Sequence, residues 1–359
     1  MGNRRHQAPA NARRLRAFVT ATALALGSTL GPISAATSAR ERPATVRFVY
    51  SPYKDVTLSF NSTTHEIASA ASGGGLSPLI VNGRSALPAG VKALTWAFAI
   101  GECGAETLGG LDAQKVADAN VAAFDRAGID YIISTGGQGG VFTCGSDAGM
   151  EAFIARYASP RLVGIDLDIE AKQTPEIVDA LIRRVIVAQR KHPALRFSFT
   201  LPTLAASDGS KNGLNAQGRD VLEAIRRHGL ADFTINLMVM DYGPPSAANC
   251  VVGAGVCDMA RSAIQAAENL HGLHGVPYRQ IELTAMIGVN DVAANDFHPT
   301  DAEVITRYAR KRDLAGIHFW SLDRDAPCPR PATGASSVCS GMPDVPARAF
   351  GAAFDKGLR

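Results

Sequence analysis

From about residue 44 to the C-terminus, short runs rich in β-branched and aromatic residues alternate with stretches whose apolar positions recur at helical spacing. The strands this predicts are Val46–Tyr50, Ala93–Ile100, Tyr131–Ser134, Leu162–Asp168, Arg196–Thr200, Thr234–Met240, Ile281–Met286 and Gly316–Trp320. Helices are expected at Ala113–Ala127, Pro175–Lys191, Leu214–His228, Met259–Leu270 and Thr300–Asp313. Thr174 before Pro175 reads as an N-cap with proline in the first turn. Eight alternations fit an α/β chain folded as one (β/α)8 TIM barrel. A doubly wound sheet is the rival, but it does not need eight strands at this spacing. The connection over residues 51–92 is the least regular: it holds Gly73-Gly74-Gly75 and little helical periodicity. No repeat, linker or composition shift marks a second domain.

The fourth strand changes the picture. It continues as Leu162-Val163-Gly164-Ile165-Asp166-Leu167-Asp168-Ile169-Glu170, with apolar and acidic residues in strict alternation. Period two puts Ile165, Leu167 and Ile169 on one face and Asp166, Asp168 and Glu170 on the other. Strands of a parallel barrel are normally apolar on both faces, so three carboxylates in a row require a special reason. Pointing into a barrel, they repel and lose hydration, and protons must be shared among them. An antiparallel strand with a wet face is the bland alternative, disfavoured because the neighbouring elements read as β/α units. The row also ends where the strand ends, and active sites of barrels lie at the C-terminal ends of strands.

Charge and cysteine content place the chain. The formal net charge of +3 becomes −2 once residues 1–39 are set aside, because that segment holds five arginines and no acid. The folded part therefore lacks the basic balance of a nucleic-acid-binding protein. Within that segment a basic stretch ends at Arg16, an apolar run follows from Ala17 to Leu26, and small residues close it at Ser34-Ala35-Ala36 and Thr37-Ser38-Ala39. This is the pattern of an export signal cleaved after Ala36 or Ala39. The apolar run is too short for a membrane anchor, so no stable span is expected after cleavage. Six cysteines remain, and none has metal-site spacing, so no metal is expected. In an exported chain an even count points to disulfides. Cys250 with Cys257 and Cys328 with Cys339 each lie within one loop, which leaves Cys103 for Cys144.

The acidic row resembles the signature D-G-x-D-x-D-x-E of glycoside hydrolase family 18, the chitinases and endo-β-N-acetylglucosaminidases. Gly164, Asp166, Asp168 and Glu170 match it, and Val163 stands in place of its first Asp. Ser134-Thr135-Gly136-Gly137 is similar to the family's S-x-G-G. Met238-Val239-Met240-Asp241-Tyr242 is similar to its M-x-Y-D element, with Met240 where Tyr is usual. His318-Phe319-Trp320-Ser321 ends the eighth strand, where the family places a Trp under the reacting sugar. The resemblance covers nearly all of residues 44–359, and its Asp241-Tyr242-Gly243 version looks like a bacterial chitinase branch.

That resemblance implies a single catalytic domain over residues 44–359 that hydrolyses β-1,4 links of chitin or chitooligosaccharides with no cofactor. Glu170 is then the general acid. Asp168 orients the substrate's acetamido group, and Asp166 shares a proton with Asp168. Asp241 or Tyr242 bonds the acetamido oxygen, Trp320 stacks on the sugar, and Met238 and Ser134 complete the binding set. His318 is expected to fill the barrel, and Tyr53 lines the cleft or the surface. Cleavage of N-glycan cores is the first alternative. A non-catalytic sugar-binding member is the second, disfavoured because Asp168 and Glu170 are both present. The expected protein is an exported monomer, secreted or periplasmic.

Overall fold

The computed structural model describes residues 47–70, 75–170 and 173–359. The expected export signal over residues 1–39 lies outside the described residues. Eight parallel strands close into a barrel, here labelled β1 to β8. β1 comes in two pieces, Val49–Tyr50 and Tyr53–Asp55. Then follow β2 (Ala93–Glu102), β3 (Asp130–Gly136), β4 (Leu162–Asp168), β5 (Arg196–Pro202), β6 (Thr234–Met238), β7 (Ile281–Met286) and β8 (Gly316–Trp320). Each pairs in parallel with the next. The first piece of β1 pairs with β8 and the second with β2. The break falls at Ser51-Pro52, where proline has no N–H for a ladder. The Ser51 N–H donates to the Ile317 carbonyl and the Thr95 N–H to that of Pro52, so the chain crosses from one neighbour to the other and closes the barrel.

Seven α-helices cover the outside among the described residues: α1 (Ala113–Ala127), α2 (Asp147–Arg156), α3 (Pro175–Lys191), α4 (Ala216–His228), α5 (Met259–His274), α6 (Pro299–Lys311) and α7 (Ala349–Leu358). α2 and α7 are additions to the five expected from periodicity. The connection from β1 to β2 carries short antiparallel pairs, Ala68–Ser69 with Ser77–Pro78 and Ile80–Val81 with Arg84–Ser85. Helix ends follow local chemistry. Asp112 accepts the N–H groups of Gln114 and Lys115 at the start of α1, and Gly128 ends it with φ of 68°. Thr174 caps α3 ahead of Pro175, as the sequence suggests. Each such cap is worth about 1 kcal/mol.

The apolar core lies between strands and helices. Ile165 and Leu167 of β4, Phe197, Phe199 and Leu201 of β5, and Ile317 and Phe319 of β8 all point outward and are fully buried there. Trp96 stacks on Tyr131 at 4.6 Å and meets Phe124 of α1 edge-on at 4.9 Å. Burying each such side chain contributes roughly 1.5–3 kcal/mol. All three expected disulfides form: Cys103–Cys144, Cys250–Cys257 and Cys328–Cys339. Among the described residues no helix is long and apolar enough to cross a membrane.

The barrel interior, by contrast, is polar and layered. In its lower layer the Glu282 carboxylate meets Arg196 and, at 2.8 Å, Nε2 of His318. Nδ1 of His318 faces the Ser51 carbonyl at 3.0 Å. His318 thus fills the barrel. Burial alone would raise the Glu282 pKa, but Arg196 and His318 outweigh it and hold the carboxyl at about 2. A depressed carboxyl pKa stabilises the fold fully above the unfolded value of about 4.3, and that stability fades as the pH falls toward 2. We therefore expect Glu282→Gln to lose about 3 kcal/mol at neutral pH, with the gap to wild type narrowing below about pH 4. Thermal unfolding of both proteins across that range measures it.

Candidate active site

The upper layer of the barrel is built around Asp166, buried at mid-barrel on β4. Four hydroxyls donate to its carboxylate. Ser134 of β3 and Tyr53 of β1 reach one oxygen at 2.6 and 2.9 Å, and Ser198 and Thr200 of β5 reach the other at 2.6 and 2.7 Å. Their orientation is set one shell further out. Thr284 donates to the Asn236 side-chain oxygen at 2.8 Å, which turns the amide nitrogen toward Thr200 and Tyr53 at 2.8 and 3.0 Å. Those two oxygens accept from Asn236, so their protons are free for Asp166. Burial raises the Asp166 pKa, and the four donors oppose that rise.

Asp168, two residues on and 4% exposed, is placed differently. Its carboxylate oxygen Oδ1 is buried with no hydrogen-bond partner. Burial, then the charges of Glu170 and Asp166, push its pKa well above the ordinary value. Asp168, without such donors and flanked by both other acids, is the member of the row whose charge is most disfavoured, while the hydroxyl cage favours the charged form of Asp166 against its burial. The backbone beside it is equally constrained. A Cβ on Gly136, whose φ is 84°, would lie 2.2 Å from the Asp168 carbonyl oxygen, so only glycine fits at the end of β3. Ser134-Thr135-Gly136-Gly137 is thus physically explained: its serine holds Asp166 and its glycine lets Asp168 approach.

Glu170, half-buried, ends the row at the mouth of a cleft of about 410 Å³. Asp168, Glu170, Tyr53, Phe98, Trp320, Met238, Met240 and Asp241 all line it. Trp320 stacks against Phe98 at 5.5 Å and lies 6.3 Å from Tyr53, which makes an aromatic wall beside the carboxylate row. Asp241 accepts the Val292 N–H at 2.8 Å. Burial raises its pKa, and neighbouring Asp291 adds to the rise.

A probable bifunctional chitinase/lysozyme of Escherichia coli is 27% identical to this chain over 305 residues, which are 78% of this chain and 31% of that protein. Endochitinase 11 of Metarhizium anisopliae is 29% identical over 231 residues, 58% of this chain and 42% of that protein. The chain thus spans less than half the length of these curated relatives. The catalytic domain of a hyperthermophilic chitinase from Pyrococcus furiosus superimposes with a TM-score of 0.64 at 26% identity, covering 88% of this chain and 96% of that one. No protein-family model matches the chain. In sequence and fold the chain is similar to the glycoside hydrolase family 18 chitinases. The likeness to an archaeal enzyme does not single out a bacterial branch of the family.

Of the site residues that the family signature suggests, Asp168, Glu170, Met238, Asp241 and Trp320 line the cleft. Asp166 and Ser134 lie directly beneath it. Tyr242 is not brought to the cleft: it is 3% exposed within the apolar core, and its hydroxyl has no hydrogen-bond partner. The cause is local. β6 stops at Met238, and Asp241 takes a left-handed φ of 47°, so strand alternation fails after Met240: Asp241 joins Met238 and Met240 at the cleft and Tyr242 turns into the core.

Sequence reasoning missed Phe98. By alternation it shares a face with Trp96, which is buried outside the barrel. The ladder between β2 and β3 slips by one residue between Trp96 and Ala99, and this bulge turns Phe98 inward. Tyr53, left open between cleft and surface, is both a cleft residue and a donor to Asp166. Beside it, buried Lys54 pairs with Asp323 at 2.8 Å, and Ser69 donates to the other oxygen of Asp323 at 2.9 Å. That pair clamps the end of β1 to the turn after β8, and so fixes Tyr53 against Trp320.

Asp168 carries a stability cost. A carboxyl whose folded pKa is raised binds its proton more tightly in the native state, so the fold weakens as pH rises above the unfolded value of about 3.9. Each pH unit across which the native state keeps that proton costs about 1.4 kcal/mol. Asp168→Asn removes the charge and keeps the shape. We expect a melting temperature above that of wild type at neutral pH, with the difference vanishing toward pH 4. Equal melting temperatures at neutral pH would mean that Asp168 bears no such cost.

Proposed function

We propose that this chain is an exported chitinase that hydrolyses β-1,4 links next to N-acetylglucosamine with the substrate's own acetamido oxygen as nucleophile. One observation carries the reading: Asp166, Asp168 and Glu170 rise as a single row from a hydroxyl cage in the barrel to the mouth of an aromatic-walled cleft. Residues 44–359 form the catalytic domain in this reading. Residues 1–39 are a signal cleaved after Ala36 or Ala39, which suits the three disulfides.

Glu170 protonates the leaving oxygen as the bond to the anomeric carbon breaks. A protein nucleophile would have to approach from the opposite face of the sugar. Asp168 is two residues from Glu170 on the same strand face, so it reaches the same side. The acetamido oxygen therefore forms the new bond to the anomeric carbon, and the group becomes a cyclic cation. Positive charge on its nitrogen favours the ionised form of Asp168. The proton that Asp168 releases passes to Asp166, because hydroxyls of Ser134, Ser198 and Thr200 can turn from donating to accepting. Water then opens the ring, gives its proton to Glu170, and the product keeps the configuration of the substrate. Trp320 stacks on the apolar face of the sugar, and Asp241, which lines the same cleft, bonds the acetamido oxygen in this reading.

Glu170→Gln keeps the shape and removes the transferable proton. We expect turnover of chitooligosaccharides to fall by about 10²–10⁴-fold while binding survives. An oligosaccharide with 2-hydroxyl in place of 2-acetamido should bind and stay intact, and a thiazoline mimic of the cyclic cation should inhibit competitively. Efficient cleavage of the 2-hydroxyl chain, or a sugar ester trapped on Asp168, would overturn the mechanism. Release of glycans from a high-mannose glycoprotein with intact chitooligosaccharides would reassign the substrate.

A further inference from the structure

The two ends of the barrel differ in charge. Residues 47–359 hold 29 lysines and arginines and 32 acids, so the body as a whole is slightly acidic. The eight segments that lead the chain into β1 to β8 lie together at the end opposite the cleft. They are residues 47–48, 88–92, 124–130, 157–161, 188–196, 224–234, 271–281 and 308–316. These segments hold 13 lysines and arginines against four acids. The rest of the body carries the compensating excess of acid, and Asp55, Glu170, Asp241 and Asp291 line the cleft itself.

Helix ends alone do not account for this face. A cation in the last turn complements the helix macrodipole, and Arg126, Arg190 and Arg310 stand in the last turns of α1, α3 and α6. Lys92 and Arg279 lie outside the α-helices, and Lys311 adds a second cation to the end of α6. All six are exposed, and among the described residues none of their side chains forms an ion pair or a hydrogen bond. Two acids of the face are engaged instead: Asp130 meets Arg161 at 3.2 Å, and Asp125 meets the same guanidinium at 4.0 Å. At the centre of the face is a groove of about 470 Å³, lined among others by Lys92, Arg310, Phe48, Leu195 and Leu358. The Arg310 guanidinium lies 5.4 Å from the centre of the Phe48 ring.

We infer that this face docks on a membrane surface rich in anionic lipid, with the cleft turned away from the lipid. The layout selects that occupant. The cations come from separate β/α units around the barrel axis, so they form a disc and not a track. A strand of nucleic acid is neutralised along a row of cations, and an acidic body repels the rest of it. A planar lipid surface meets the whole disc at once, and each cation within a Debye length of it adds to the attraction. The same surface repels the acidic cleft end, so one orientation is favoured. Contact at the surface is sufficient: among the described residues no helix is long and apolar enough to cross a membrane. The inference does not depend on the glycosidase reading.

Sedimentation with lipid vesicles tests it on the processed protein. Vesicles of phosphatidylglycerol and phosphatidylcholine in equal amounts should bind it about 30-fold better than phosphatidylcholine alone at low ionic strength, and the difference should vanish in about 0.5 M salt. Lys92→Gln with Arg279→Gln and Lys311→Gln should weaken binding to the mixed vesicles by at least about tenfold. Lys115→Gln with Arg261→Gln and Arg330→Gln removes the same charge from exposed positions on segments that leave the cleft ends of strands. That second variant should bind within about twofold of wild type, because its cations lie beyond the screening distance of the lipid. Both variants keep the chain before Arg47 unchanged, so any contribution from that segment is common to them. Unaltered melting temperatures show that both fold. Equal binding to charged and neutral vesicles, or equal losses in the two variants, would overturn the inference. Tighter binding to heparin or duplex DNA than to the mixed vesicles would reassign the face to a linear polyanion, and would overturn it as well.

Discussion

A carboxylate buried in the middle of a barrel, Asp166, sets the terms for the structure around it. An isolated buried charge is untenable, and removal of hydrogen bonds from one costs several kcal/mol. Here the solution is distributed over five strands. β1, β3 and β5 supply the four hydroxyls, and β6 and β7 supply the Asn236–Thr284 pair that orients them. Each donor reaches Asp166 only if its strand has the right register, so the network makes the barrel's closure and its chemistry the same requirement. The apolar core is displaced outward, between strands and helices, and the interior carries a polar stack from Glu282 and His318 up to Glu170.

Much of this was legible in the chain itself. Alternation along Leu162–Glu170 predicts correctly that Ile165 and Leu167 face the helices and that the acids face inward, because a strand held on both sides cannot depart from period two. The eight strand positions were readable for the same reason. What escaped sequence reasoning lies where regular repetition is broken. Phe98 is turned by a bulge, a one-residue slip that leaves no mark in composition. Tyr242 follows a left-handed Asp241, and one such residue reverses the sense of everything after it. α2 holds Gly149 and few apolar positions, so its helical period is faint; Ser146 caps it, and the disulfide Cys103–Cys144 fixes the loop before it. The second piece of β1, Tyr53–Asp55, hides because Pro52 cuts it off from Val49–Tyr50 and it is too short to show a period.

The loops around the cleft are held by covalent and buried polar links in place of apolar packing. Cys103–Cys144 joins the segments that follow β2 and β3, and Cys328–Cys339 closes the segment after β8. Arg324 binds that last segment through the Ser336 carbonyl and the β7 loop through those of Ile287 and Val289. Burial lowers its pKa to about 10, with the carboxylates of Asp291 and Asp241 opposing the fall. It therefore stays charged, and one guanidinium aligns two loops whose side chains meet at the rim.

The same physics explains why the row of acids grades from fixed to mobile charge. Asp166 is surrounded by donors that favour its charge against burial. Asp168 has carboxylates on both sides and an unpartnered oxygen, so it keeps a proton that it can release when a positive charge arrives. Glu170 stands at the cleft mouth, where a leaving group and water can reach it. Filling the barrel with valine and isoleucine would remove the desolvation penalty of all three, but it would also remove the one element able to change protonation state beneath a sugar. A barrel that holds an uncompensated carboxylate must draw its stability from elsewhere, and here that source is the outer apolar layer and the Arg196–Glu282–His318 stack below. The less stable upper half and the chemically inert lower half are therefore parts of one balance.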